Sequence, residues 1–116
     1  MKRASTRLDA TFAALADPTR RQVVQILRRG PCRAGELAQA VGQQASAMSR
    51  HLRVLRECGL VEEERGEDAR VRVFRLNRQP FAALRGWLDE VESFWTAQLA
   101  SFRAHAEQTR KRSPRS

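Results

Sequence analysis

Residues 46–61, SAMSRHLRVLRECGLV, place a Ser-Arg-His triplet (49–51) inside a run of leucines at helical spacing. Hydroxyl, guanidinium and imidazole groups can serve in catalysis, hold a metal ion or contact nucleic acid. Acid–base or nucleophilic catalysis would need a paired carboxylate or nucleophile at helical spacing, and none is evident around His51. The residue types therefore do not indicate an enzyme, and the triplet is better suited to a ligand that offers acceptor groups.

A helical wheel at about 100° per residue divides this stretch into two sides. Met48, Leu52 and Leu55 lie on one side and would pack against neighbouring helices. The opposite side carries hydroxyl and guanidinium groups, which donate hydrogen bonds to base edges and phosphates. Its residues are Ser46, Ser49, Arg50 and Arg53. His51 lies about 60° from Met48, at the border of the apolar side. Packing and a phosphate contact remain equally open for it.

The charge of the chain points to a polyanionic partner. The 116 residues carry a formal net charge of +9, and lysine occurs only at positions 2 and 111. Between Arg20 and Glu57 there are eight arginines and two glutamates. Arginine suits bidentate contacts to phosphate and guanine, so this excess is what a DNA-binding surface needs. A solvated arginine-rich surface, or codon bias in a GC-rich genome, would produce the same composition.

The apolar pattern predicts four helices before the middle of the chain. Residues 8–16 place Leu8, Phe12 and Leu15 on one helical face. Asp17-Pro18 is a suitable N-cap followed by a suitable first helical residue. The predicted helices are 8–16, Pro18 to about Arg29, 33–41 and about 45–58, with a turn at Gly42-Gln43 between the last two.

The second half of the chain predicts a β-hairpin and one long helix. An extended stretch from Leu60, a turn near residues 66–68 and the alternating run at 70–76 form the hairpin. A last helix at about 79–107 carries a heptad-like apolar stripe. The fold class is mainly α with a small β-hairpin, in the order α-α-α-α-β-β-α. Three short helices followed by a hairpin indicate a winged helix-turn-helix domain over residues 1–107, with a basic disordered tail at 108–116.

Several classes of function receive no support from the composition. No run approaches the roughly 18 apolar residues of a membrane span, and the N-terminus has no secretory h-region, so a cytoplasmic protein is expected. Cys32, Cys58, His51 and His105 are few for a metal site, and no cofactor is expected. A thiol switch between Cys32 and Cys58 remains open, because a disulfide needs their Cα atoms within about 7 Å and the sequence gives no distance.

A resemblance to a known family rests on two segments, ADPTRR (16–21) and SRHLRVLRECGLV (49–61). With the residues between them and the run RVRVFRL (70–76), the chain resembles the ArsR family of winged helix-turn-helix transcriptional repressors. The resemblance covers about residues 8–77, with a compatible last helix. It implies a homodimer that binds double-stranded DNA at inverted-repeat operators. Trp87 and Trp95 resemble the subgroup without recognised metal sites.

Residue roles follow from the wheel and from this resemblance. The predicted DNA contacts are Gln43, Gln44, Ser46, Ser49, Arg50 and Arg53 at the groove, with Arg70 and Arg72 on the flanking backbone. In the family the first and last helices form the dimer interface. The predicted interface residues are Leu8, Phe12, Leu84, Leu88, Val91, Trp95, Leu99 and Phe102.

The sequence departs from the family pattern in two places. Arg33 and Gly35 stand where metal-sensing members carry a cysteine pair, so no metal is expected. The hairpin flank EEERGED (62–68) carries five acidic residues and one arginine. Acidic residues repel phosphate, and this leaves open whether the wing tip contacts DNA. Two alternative functions also remain open: a repressor that responds to a thiol or small-molecule signal, and a winged helix that binds protein instead of DNA.

Overall fold

The computed structural model describes residues 2–66, 68 and 70–112. Its elements in chain order are α1 (Lys2–Leu15), α2 (Pro18–Leu27), β1 (Cys32–Arg33), α3 (Ala34–Val41), α4 (Ala45–Glu57), β2 (Val61–Arg65), β3 (Arg72–Leu76) and α5 (Arg78–Arg112). The predicted helices and the hairpin are confirmed, but α1 begins at Lys2, six residues before its predicted start at residue 8. This is the winged helix-turn-helix arrangement with α4 in the place of the recognition helix.

The short strand β1 was not predicted. Cys32 lies opposite Phe74 and Arg33 opposite Val73, so β1 pairs antiparallel with β3. The sheet order is β1-β3-β2, a three-stranded sheet where the sequence predicts two strands. Two residues are too few to show an alternating pattern, and their partner strand lies about forty positions further along the chain. Helix α3 consequently begins at Ala34, after the strand, and not at residue 33.

The helices and the sheet of the first unit, Met1–Leu84, pack around one hydrophobic core. Its fully buried large side chains come from several elements: Val23, Leu37, Met48, Leu52, Leu55, Leu60, Val61 and Phe74. Val61 and Phe74 project from β2 and β3 toward this core. Burial of such side chains stabilises the fold by about 1.5–3 kcal/mol each.

Helix α5 continues into the second unit, which begins at Arg85. At 35 residues it is about 52 Å long. It reaches Arg112, five residues into the predicted tail at 108–116, and the remaining residues 113–116 lie outside the described part. Gln108, Arg110, Lys111 and Arg112 are good helix formers, which explains the later end of the helix. The domain limit at residue 107 therefore does not coincide with the end of α5.

Candidate nucleic-acid interface

A glycine turn sets the start of α4. Gly42 ends α3 with φ +74° and ψ +34°, the left-handed conformation that glycine adopts at little cost. The N–H of Gln43 donates to the carbonyl oxygen of Ala38 at 2.9 Å, which closes the end of α3. The chain then extends through Gln44 and enters α4 at Ala45. The predicted turn at Gly42-Gln43 is thus the helix-turn-helix corner.

The buried side of α4 is the one that the wheel predicts. Met48, Leu52 and Leu55 are at most 1% exposed. They hold the helix along its whole length, because they occupy successive turns. The exposed positions on the remaining circumference of α4 are therefore the part of the helix that a ligand can reach.

The predicted DNA-contacting residues on and before α4 divide into two groups. Gln44, Ser46, Arg50 and Arg53 are exposed, whereas Gln43 and Ser49 are half-buried. Gln44 is the N-cap residue, and its side chain makes no capping hydrogen bond. Gln44 thus supplies no side-chain acceptor to the first-turn N–H groups, at the end of the helix that attracts anions.

His51 lies against the start of α2. Its Nδ1 atom is 3.7 Å from Oδ2 of Asp17 and 3.5 Å from a terminal guanidinium nitrogen of Arg20. Of the two roles that the sequence leaves open for His51, these contacts favour packing. The residue connects α4 to the Asp17-Pro18 helix start.

Two of the arginines in the basic segment serve the fold. Arg20 donates from Nε to the carbonyl oxygen of Ala14 at 2.6 Å and from a terminal nitrogen to that of Ala13 at 3.3 Å. Arg21 donates to the carbonyl oxygens of Leu15 and Ala16 at 2.8 and 3.0 Å. The last carbonyls of a helix lack the usual intrahelical partners, and cations are favoured there. Of these four, the carbonyl of Ala13 also accepts the backbone N–H of Ala16 at 3.3 Å. The arginine excess therefore overstates the charge available to DNA.

Arg20→Gln should lower the free energy of unfolding by about 1–2 kcal/mol, because the end of α1 loses charged hydrogen bonds. The salt dependence of DNA binding should stay as in the wild type, since no phosphate contact is removed. Urea unfolding and DNA titrations at several salt concentrations measure the two quantities. A shallower salt dependence would instead place Arg20 on the DNA.

Asp17 caps α2, as predicted. Its Oδ2 atom accepts the backbone N–H of Arg20 at 2.9 Å. This hydrogen bond, helped by His51 and Arg20, holds the pKa of Asp17 below its ordinary value of 3.8 although partial burial acts in the opposite direction. A lowered pKa means that the charged carboxylate stabilises the fold above about pH 3.8, and that this contribution is lost as the pH falls through the lowered pKa.

Asp17→Ala should cost about 1 kcal/mol of stability at neutral pH, whereas Asp17→Asn, which keeps a capping oxygen, should cost less. The difference between wild type and Asp17→Ala should shrink in acid, below about pH 3.8. Urea unfolding at neutral and acid pH measures both effects. Equal stability of Asp17→Ala and wild type at neutral pH would contradict the capping role.

The wing carries the two other predicted DNA contacts. Arg70 is exposed, and its backbone N–H donates to Oδ1 of Asp68 at 3.0 Å, which shapes the turn. Arg72 is half-buried and donates from Nε to Oε1 of Glu63 at 2.8 Å. Arg70 is thus the freer of the two wing arginines, and Arg72 is tied to the sheet.

The acidic residues of β2 are bound by arginines. Glu62 accepts a hydrogen bond from a terminal nitrogen of Arg75 at 2.9 Å, and Glu64 forms an ion pair with the other terminal nitrogen at 3.0 Å. Glu63, on the opposite side of the strand, accepts from Arg56 and Arg72. The repulsion of phosphate that the sequence suggested for this flank is therefore reduced. Sequence reasoning missed Glu63 as a functional candidate, although its alternation with Val61 places it on the inner side of the strand.

The sequence raises two chemical possibilities, a metal site at positions 33 and 35 and a disulfide between Cys32 and Cys58. Arg33 forms an ion pair with Glu36 at 3.9 Å and Gly35 has no side chain, so neither offers a ligand. In the part of the chain that the structure describes, no cluster of at least three His, Cys, Asp or Glu residues could hold a metal ion. Cys32 lies on β1, and β3 separates it from β2, the strand that follows Cys58. Both cysteines are free thiols in the structure.

Large hydrophobic side chains are exposed on the helices predicted to pair. In the described residues they are Phe12 on α1 and Trp87, Leu88, Val91, Phe94, Trp95, Leu99 and Phe102 on α5. Phe94, Trp95 and Phe102 are 64%, 61% and 74% exposed. Leu8 and Leu84 are half-buried. Within the described ranges, no helix is long and apolar enough to cross a membrane.

Comparison with known proteins links this geometry to transcriptional regulators. The family model described as "Bacterial regulatory protein, arsR family" matches residues 17–63. The HTH-type transcriptional regulator Rv2034 of Mycobacterium tuberculosis is 42% identical over 94 residues, which cover 81% of this chain and 83% of that protein.

Solved structures agree with the fold. The crystal structure of the ArsR family transcriptional regulator RHA00566 is 34% identical with a TM-score of 0.71, and the match covers 79% of this chain and 93% of that one. The homodimeric winged helix-turn-helix DNA-binding domain Mb0332 of Mycobacterium bovis, a possible ArsR-family regulator, is 26% identical with a TM-score of 0.59. That match covers 78% of this chain and 79% of the other.

Proposed function

Because this chain belongs to the ArsR family of bacterial regulatory proteins, we propose that it is a repressor that binds promoter DNA as a homodimer in the cytoplasm. The operator is an imperfect inverted repeat, since a two-fold symmetric dimer presents two identical recognition helices. Half-sites lie about one helical turn apart, roughly 34–36 Å. Occupation of such a site excludes the transcription machinery from the promoter.

The observation that carries this proposal is the division of α4 into two sides. Buried Met48, Leu52 and Leu55 hold the helix, while Arg50 and Arg53 remain exposed on its other side. Exposed guanidinium groups on a firmly packed helix are suited to guanine edges and phosphates. Ser46 and Gln44, at the start of α4, add short polar donors near the positive end of the helix.

Arg70 contributes a backbone contact beside the recognition helix. Its exposed side chain follows the turn that leads into β3, where a wing meets the phosphates that flank a half-site. Arg72 acts with it, although part of its hydrogen-bonding capacity is taken by Glu63. Gln43 and Ser49 are half-buried, and they contact the DNA at the edge of the surface formed by the exposed residues of α4.

Selection of bound duplexes from a random library tests the proposal. The selected sequences should contain an inverted repeat, and the affinity should fall steeply with salt, because bound phosphates release counterions. The scrambled duplex of equal length is the control. Failure to enrich any repeat, together with an affinity for a protein partner that is insensitive to salt, would favour a protein-interaction module.

A further inference from the structure

Glu63 is an acidic residue on the inner side of the wing. It lies on β2 opposite Phe74, two residues after the buried Val61. Side chains alternate along a strand, so Glu63 points to the same side of the sheet as Val61. Its side chain is 12% exposed. A nearly buried carboxylate is costly unless it is paired, which makes its partners informative.

Both oxygens of the carboxylate are bound by arginines from different elements. Oε1 accepts from Nε of Arg72 on β3 at 2.8 Å, and Oε2 accepts from a terminal nitrogen of Arg56 in the last turn of α4. We call these three side chains the Glu63 bridge. It connects the recognition helix to the wing through two charge-assisted hydrogen bonds, which are among the stronger ones in proteins.

The bridge is held further by the core. The guanidinium carbon of Arg72 lies 5.2 Å from the centre of the Phe74 ring, within the range of a cation–π contact. Phe74 is fully buried, so it offers a fixed surface. The hydrogen bond from Arg72, with a further one from Arg56, holds the pKa of Glu63 below its ordinary value of 4.5 despite burial. The bridge is therefore charged at neutral pH.

The two arginines keep donors for a ligand. A guanidinium has five N–H groups, and the hydrogen bond of Arg72 to Glu63 uses its single Nε–H. Arg56 is bound through one terminal nitrogen. In the described part of the chain their other N–H groups can therefore meet phosphate oxygens while the bridge stays closed.

We propose that Glu63 is a positioning residue for DNA recognition: it holds Arg56 and Arg72 so that α4 and the wing meet the operator as one unit. The inference rests on the proposed DNA binding and assigns Glu63 a part in specificity. A simple charge argument predicts the opposite sign. Removing an acidic group beside a polyanion should tighten binding to any sequence. Removing a positioning group should weaken binding to the correct sequence most, because the phosphate contacts of the wing fix the register in which α4 reads the base edges.

Glu63→Gln and Glu64→Gln form a matched pair for this test. Both remove one negative charge from β2, at adjacent positions. Glu64 is exposed and pairs with Arg75 on the other side of the strand, away from the bridge. In Glu63→Gln the new amide keeps one acceptor oxygen for a single arginine, and its NH₂ group faces the donors of the other. The affinity of each variant is measured for the selected duplex and for a scrambled duplex of about 30 base pairs, enough for two half-sites.

The outcome is decided by one ratio for each protein, its affinity for the selected duplex divided by its affinity for the scrambled duplex. We expect this ratio to fall by about tenfold in Glu63→Gln and to stay within about twofold of the wild type in Glu64→Gln. Equal ratios in the two variants would overturn the inference. Should Glu63→Gln not fold, Glu63→Asp keeps the charge but shortens the side chain, and a wild-type ratio there would overturn it equally.

The proposed function is tested separately by the wild type. Failure of the wild-type protein to enrich any duplex would contradict DNA binding itself, before any variant is made. A wild type that discriminates well, with a Glu63→Gln variant that discriminates equally well, would contradict only the role of Glu63.

Discussion

Arg50→Ala and Arg53→Ala should each weaken operator binding by more than about tenfold while the dimer persists. A guanidinium bound to a base edge contributes about 1–3 kcal/mol, and a tenfold loss of affinity corresponds to about 1.4 kcal/mol, in the lower half of that range. Both side chains are exposed on α4, so their loss leaves the core residues Met48 and Leu52 in place. Fluorescence anisotropy with the selected duplex measures the affinity, and sedimentation measures the dimer.

The pattern of the loss identifies the kind of contact. Loss of a phosphate contact weakens binding to all sequences alike and lowers the salt slope by about 1. Loss of a base contact relaxes the preference at one operator position and leaves the others intact. The matched control is Arg29→Ala, which removes the same charge from an exposed position after α2. Unchanged affinity in both α4 variants, or an equal loss in Arg29→Ala, would remove the exposed side of α4 from the mechanism.

The elements that position these arginines could be predicted from local pattern. The spacing of Met48, Leu52 and Leu55 predicts both the helix and its buried side, because residues three and four apart share one side of a helix. Asp17-Pro18 predicts the start of α2 for an equally local reason, a side-chain oxygen three residues before the N–H that it accepts. Both predictions are confirmed.

Partners that are distant in sequence could not be predicted in the same way. The charge of Arg20 and Arg21 suggests DNA, but the structure uses both guanidinium groups at the end of α1. Strand β1 is visible only through its pairing with β3. In each case the decisive interaction joins separate elements, and composition or periodicity within one segment contains no information about it.

Glu63 shows the same limit at the candidate site. Among the acidic residues of β2 it looks like a source of repulsion, and only the folded chain brings Arg56 and Arg72 to it. Its inner position on β2 was accessible from alternation, since Val61 two residues earlier is apolar. A charged residue at an inward strand position is therefore a signal that sequence reasoning could have used.

The second large effect concerns the apolar stripe of α5. Val91→Glu should convert the protein to a monomer and lower operator affinity by about a hundredfold or more, because one protomer then meets the operator with a single recognition helix. Val91 lies within the predicted interface and is 38% exposed in the single chain. A partner helix would bury a glutamate there, and burial of a charge is strongly unfavourable unless a cation pairs with it.

Ser93→Glu is the control for Val91→Glu. Residues two apart on a helix differ by about 200°, so Ser93 lies on the side of α5 away from Val91. It is exposed and receives the same charge. Sedimentation should find Ser93→Glu dimeric with wild-type affinity for the selected duplex. A dimeric, fully active Val91→Glu would show that the stripe of Leu88, Val91 and Trp95 is not the interface. A monomeric Val91→Glu that binds the operator as tightly as the wild type would instead separate recognition from dimerisation, because each half-site would then be bound without help from the other.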